Sequence, residues 1–202
     1  MLRILFIFIF CTLAGTLLAM PFGFSPVRPG LYAAALMTGA AWWLRNRWRT
    51  DPAAPEAPER RALLSLAGTL IVLSHLLTSL WQIGPGMQLH TEASHAMALD
   101  NWALFGASLL MGWIARAPGP SQDERDRMIA AASLRSGHYA LVLQLFLLAL
   151  WLGFGRDAIL QQLSRAMLAQ LLICFWIVSC VIHDLSCLLA YAHGRRLAGD
   201  AA

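Results

Sequence analysis

From Ala169 to Tyr191 the chain is apolar apart from scattered uncharged polar residues, one histidine, His183, and one acid, Asp184. Some twenty apolar residues in a helix reach across roughly 30 Å of hydrocarbon. Inside hydrocarbon a backbone meets its hydrogen-bonding needs only as a helix or a closed barrel. A chain built around such a segment is held to helices. Cys180, His183, Asp184 and Cys187 stand at i, i+3, i+4 and i+7, one face of that helix. A His-Asp pair in such a setting is costly unless it faces protein or water, which makes this stripe the first candidate site.

Similar apolar stretches recur, and spans are expected at about 4–20, 30–44, 62–81, 96–114, 138–154 and 165–191. Pro21, Gly23, Pro26 and Pro29 separate the first two, Gly84-Pro85-Gly86 ends the third, and Gly155-Arg156-Asp157 turns the chain after the fifth. Two charged segments, 45–61 and 116–137, read as loops; the first holds five arginines together with Pro52, Pro55 and Pro58. With 58% hydrophobic and 13% charged residues, the 202-residue chain belongs with polytopic membrane proteins and is expected to form a single all-α transmembrane domain.

The first span follows Arg3 and could also describe a signal peptide. Leu17-Leu18-Ala19 does not make a small-x-small cleavage site, so a retained helix is expected. Thr91 or Ser94 can cap the fourth span. Ser121, followed by Asp123 and Glu124 and then Met128 and Ile129, suits a short amphipathic helix on the membrane surface ahead of the fifth. The tryptophans fall mostly at span ends, as an interfacial belt requires.

Every one of the 15 basic residues is arginine. If the amino terminus is cytoplasmic and six spans cross, only Arg28, Arg156 and Arg165 lie outside, and the other arginines lie inside. That bias fixes orientation, and it predicts a bacterial-type inner membrane with both termini cytoplasmic. It also accounts for the basic charge without nucleic acid. The expected partners are the lipid bilayer and a membrane-protein partner or a second copy of the chain.

Shifted by 70 residues, the chain matches itself at Ala62 and Ala132, Val72 and Val142, Leu77 and Leu147, Trp81 and Trp151, Ser94 and Ser164, Met97 and Met167, and Phe105 and Phe175, among eleven identities in 44 positions. Apolar composition alone accounts for fewer. Spans 3–4 and 5–6 therefore read as a duplicated hairpin in parallel orientation. Glu59-Arg60 before the third span is echoed by Glu124-Arg125 before the fifth. The run Asp123-Glu124-Arg125-Asp126-Arg127-Met128-Ile129 followed by a helix hairpin resembles the Asp-Glu-Arg loop of uncharacterised small prokaryotic multi-pass membrane proteins. That resemblance implies a membrane setting and assigns no catalytic residue.

Imidazole and thiolate suit zinc or copper, so Cys180, His183, Asp184 and Cys187 could ligate a metal; the same spacing also serves a packed helix with a satisfied His-Asp pair. A second constellation, His90, Glu92, His95 and Asp100, lies near the start of the fourth span and could converge on a divalent cation. Its histidines are five apart, not four, so it is not His-Glu-x-x-His. His138 and His183 are the nearest pair for axial haem ligation, with depths expected to differ by roughly 10 Å. His75 is expected to hydrogen-bond across helices. Cys11, Cys174, Cys180 and Cys187 lie in apolar segments and form no disulfide framework. No phosphate-binding loop and no Gly-x-Ser-x-Gly elbow is present. The expected function is a non-enzymatic accessory, sensor or scaffold subunit with no cofactor. The alternative is a small transporter or a metal- or haem-binding redox subunit.

Overall fold

The computed structural model describes residues 2–20, 29–51, 55–88, 90–115 and 123–200. Among these the chain is all-helical: α1 (Leu2–Leu18), α2 (Pro29–Thr50), α3 (Ala57–Ile83), α4 (Glu92–Ile114), α5 (Glu124–Phe154), the single turn α6 (Asp157–Leu160) and α7 (Arg165–Asp200). Local chemistry sets the boundaries. Pro58 opens α3 in its first turn, and Gly84 ends it at φ +83°, a left-handed conformation open to a residue without Cβ. The Thr91 hydroxyl accepts the Ser94 N–H at the start of α4, as its sequence suggests. Asp123, not Ser121, caps α5 by accepting from Asp126 N–H at 2.7 Å; Ser121 lies outside the described residues. Among the described residues, Glu124 to Ile129 belong to α5 itself and form no separate surface helix. Once Asp123 satisfies the first turn, nothing between Glu124 and Phe154 breaks the helix, so most of the expected 116–137 loop is helical. In the same way α2 runs on to Thr50, into the expected 45–61 loop.

Among the described residues three helices are long and apolar enough to cross a membrane, α3, α5 and α7, not six. The reasons are local. Apolar α1 has only 17 residues, α2 ends in Arg45, Arg47 and Arg49, and Asp100-Asn101 interrupts α4. The large hydrophobics of α5, among them Leu143, Phe146, Leu147 and Phe154, are exposed, an arrangement at home against lipid rather than water.

α3 is the hub. It packs on α1, α4 and α7; α2 packs on α4, and α5 on α7. Backbones approach closely where one partner is glycine. A Cβ on Gly68 of α3 would lie 2.5 Å from Ser108 Oγ of α4, one on Gly30 of α2 would lie 2.6 Å from Asp100 Cβ of α4, and one on Gly137 of α5 would lie 2.9 Å from the Ser179 carbonyl of α7. Gly15 brings α1 onto Ser74 and Ile71 of α3 in the same manner. Helices in lipid associate through such small-residue contacts because burial from water no longer drives them together. Around these seams, Leu66, Leu104 and Leu188 are almost fully buried. At the far end the Ser164 N–H donates to the Pro85 carbonyl at 3.1 Å, tying the turn after α3 to the start of α7.

The amino-terminal ends of α1, α3 and α5 and the carboxy-terminal ends of α2, α4 and α7 meet at one end of the bundle, where Arg3 lines a cavity with Trp48, and Arg61 lines one with Asp126 and another with Trp113. Replacing Gly68 by Leu should destabilise the protein by about 1–3 kcal/mol, the cost of overpacking a seam. Gly39→Leu, where the added atoms meet open space, should leave unfolding in detergent unchanged.

Candidate functional site

The polar stripe of α7 faces a cavity of about 570 Å³ between α3, α5 and α7. Cys180, His183, Asp184 and Cys187 all line it, so the face deduced from their spacing is the one turned to the cavity. The cavity runs from Pro58, Asp126 and Tyr191 at the arginine-bearing end to Leu141 and Trp176. From Asp126 to Leu141 this is roughly 22 Å of helix at 1.5 Å per residue. The cavity exists because α7 packs on both α3 and α5 while α5 packs chiefly on α7 alone, leaving a wedge between the other two.

Within the wedge, His183 Nδ1 lies 3.0 Å from Asp184 Oδ1. The imidazole is 37% exposed and the carboxylate 6%. The other carboxylate oxygen, Asp184 Oδ2, is buried with no hydrogen-bond partner among the described residues. An acceptor left in that state costs on the order of 1–3 kcal/mol. Cys187 is buried and Cys180 half-buried. Ser133 of α5, itself buried, sits against Cys187.

Asp126, which its sequence context marks only as part of a charged lead-in, belongs to the mouth of this cavity. The Tyr191 hydroxyl donates to Asp126 Oδ1 at 2.6 Å, joining α7 to α5, and the Arg125 guanidinium lies 5.8 Å from the Tyr191 ring centroid. No local pattern announces this contact, because its partners are 65 residues apart.

His138 and His183 line the same cavity. Their expected difference in depth is not observed: the Cβ position of Gly137, one residue before His138, lies 3.2 Å from His183 Cβ. His138 is not at the start of its helix: α5 begins at Glu124, 14 residues earlier, which carries His138 inward to the level of His183. At that level α5 and α7 stand in close contact. Among the described residues, no three His, Cys, Asp or Glu side chains gather into a metal-binding group. For the stripe the reason is geometric: Cys180 and Cys187 are roughly 10 Å apart along one helix axis.

The second constellation is divided. His90, Glu92 and His95 are exposed, with the two imidazole centroids 6.2 Å apart. Asp100 is buried, 8% exposed, and turned toward Gly30 of α2. Five residues beyond His95 put it roughly 140° around the helix. Asp100 instead joins a buried polar group at the α3–α4 seam, within electrostatic reach of His75. His75 is 2% exposed and makes the interhelical hydrogen bond expected of it, Nδ1 to Asn101 Oδ1 at 2.8 Å.

A second, smaller cavity of about 240 Å³ between α3, α4 and α7 shares Arg61, Ser65, Trp176 and Cys180 with the first and adds Thr69 and Ser108. A further cleft, about 740 Å³ between α1, α2 and α3, is lined by apolar side chains except for Arg3 and Asp51. Trp176, expected as a membrane anchor, is a wall of both inner cavities and packs on Phe105 with centroids 5.7 Å apart.

Compared with protein families, curated proteins and solved structures, the chain matches none. Its site is therefore argued from its own residues. A double-mutant cycle on His75→Ala and Asn101→Ala, read by unfolding in detergent, should return a coupling of about 0.6 kcal/mol and no more than about 1.7, the range for hydrogen bonds between membrane helices.

Proposed function

We propose that this chain is a non-enzymatic, multi-pass protein of a bacterial-type inner membrane that receives a small solute in the cavity between α3, α5 and α7, as a ligand-sensing membrane subunit does. One observation carries the reading: the side chain of His183, 37% exposed and paired with the buried Asp184, lines a cavity of about 570 Å³. A packed, purely structural stripe would have closed over the imidazole as well. Its volume is within the range of about 300–1,000 Å³ usual for ligand pockets.

In this reading α1, α2 and α4 accompany α3, α5 and α7 across the bilayer, and both termini are cytoplasmic. The arginines support that orientation. Arg3, Arg45, Arg47, Arg49, Arg60, Arg61, Arg125 and Arg127 sit toward one end of the bundle, and Arg156 and Arg165 toward the other. The cavity then opens to the cytoplasm. The 70-residue self-match reads as a duplicated hairpin, and each hairpin, α3–α4 and α5–α7, has a glycine of its first helix against a serine of its second. The exposed apolar face of α5 is left for lipid, or for a partner helix or second copy.

Transport is the second reading. What favours it is the polar series that runs on from the cavity through its smaller neighbour: Ser65, Thr69 and Ser108, and then the buried His75–Asn101 pair. Intramembrane groups of this kind mark solute and proton routes in other membrane proteins.

Native cysteines test the cavity. In variants retaining only Cys180 or only Cys174, a membrane-impermeant methanethiosulfonate applied from the cytoplasmic side should modify Cys180 at least tenfold faster. Equal rates would remove the cavity as a solute site. Tags at Met87 and at Ala202 should report opposite compartments, and the orientation fails if they agree.

A further inference from the structure

The charge of the cavity says what kind of solute it suits. Asp126 and Asp184 line it against a single guanidinium, Arg61. Glu59, only 6% exposed, is within electrostatic reach of Cys187 together with both of those acids. The lining thus holds two carboxylates and one guanidinium, with Arg125 beside Tyr191 at the mouth and Asp184 alone at the inner level. Asp184 is the innermost of the lining acids and the most buried, 4% exposed, with Oδ1 engaged by His183 and Oδ2 unpartnered. A desolvated carboxylate oxygen without a donor is stabilised by a cation brought to it, and low-dielectric walls strengthen that attraction. The apolar part of the wall is formed by Leu134 and Leu141 of α5 and the indole of Trp176, which is 47% exposed. An aromatic face of this kind attracts a cation as well as covering hydrocarbon.

We infer that the α3–α5–α7 cavity binds a monovalent organic cation, an ammonium or phosphonium with an apolar body, whose charge sits by Asp184 and whose hydrocarbon lies against Leu134, Leu141 and Trp176. A bare metal ion suits the site less well, because among the described residues no three His, Cys, Asp or Glu side chains gather there. An anion would meet the buried Asp184 at the inner level. This inference rests on the cavity being the working site.

The test uses the full chain in nanodiscs with tetraphenylphosphonium as probe, and tetraphenylborate, an anion of the same shape, as its control; empty nanodiscs supply the background. Saturable binding of tetraphenylphosphonium is expected, with tetraphenylborate failing to compete. Asp184→Asn should weaken binding at least tenfold, and Asp126→Asn a few-fold. Asp184→Glu, which keeps the charge, should remain within about threefold of the unaltered protein, and His95→Ala should bind as the unaltered protein does. Should Asp184→Asn fail to fold, Leu134→Trp, which fills the cavity from its apolar wall, should abolish binding. Equal binding of the phosphonium and the borate, or undiminished affinity in Asp184→Asn or Leu134→Trp, overturns the inference. If Cys180 is readily modified yet tetraphenylphosphonium does not bind, the cation assignment fails and the cavity reading stands. If Cys180 is as slow as Cys174, both fail.

Discussion

Close backbone contact along α3 is what the rest of this structure depends on. Helices surrounded by lipid gain little from hiding apolar side chains, so their association rests on approach distance and on hydrogen bonds between them. At Gly68 and Gly15, α3 meets α4 and α1 with no room for a side chain at the glycine. Its third neighbour, α7, shares with it the burial of Leu66 and Leu188. With three sides occupied, α3 is the most buried of the membrane-length helices, while α5 is covered along hardly any of its length.

That inequality creates the cavity. Were α5 to pack on α3 as firmly as α7 does, Arg61, Ser65, His138 and Asp184 would be squeezed together and no space would remain. Gly137 holds α5 to α7 so tightly that α5 cannot swing across to α3, and Tyr191 with Asp126 fastens the same pair at the arginine-bearing end. A tight seam on one side thus holds open a wedge on the other. The most conspicuous polar pair of the chain, His183 with Asp184, looks into that wedge.

The α3–α4 and α5–α7 pairs set their polar groups in different surroundings. Each sets a glycine against a serine on its partner helix, yet their polar groups differ in setting. In α3–α4 they are enclosed, with His75 bonded to Asn101 at the seam. In α5–α7 they line the cavity. The difference follows from position in the bundle: α4 is covered by α2 as well as α3, whereas α5 has one neighbour of consequence.

By itself the sequence determined the all-helical architecture, the helix stops at Gly84 and Gly155, a cap at Thr91 or Ser94, and the common face of Cys180, His183, Asp184 and Cys187. All of these are local, governed by hydropathy, periodicity and the hydrogen bonds of one turn. It overstated the count of helices apolar enough to span, because Asp100-Asn101 and the arginines of α2 were weighed less than the apolar residues around them. It grouped Asp100 with His90, Glu92 and His95, and it gave Asp126 to a loop. Only the tertiary structure decided that Asp100 turns inward to Gly30 and His75, that Asp126 meets Tyr191, and that His138 stands level with His183. Those outcomes depend on which helices touch and at what height, and residues tens of positions apart carry no periodic signal of their meeting.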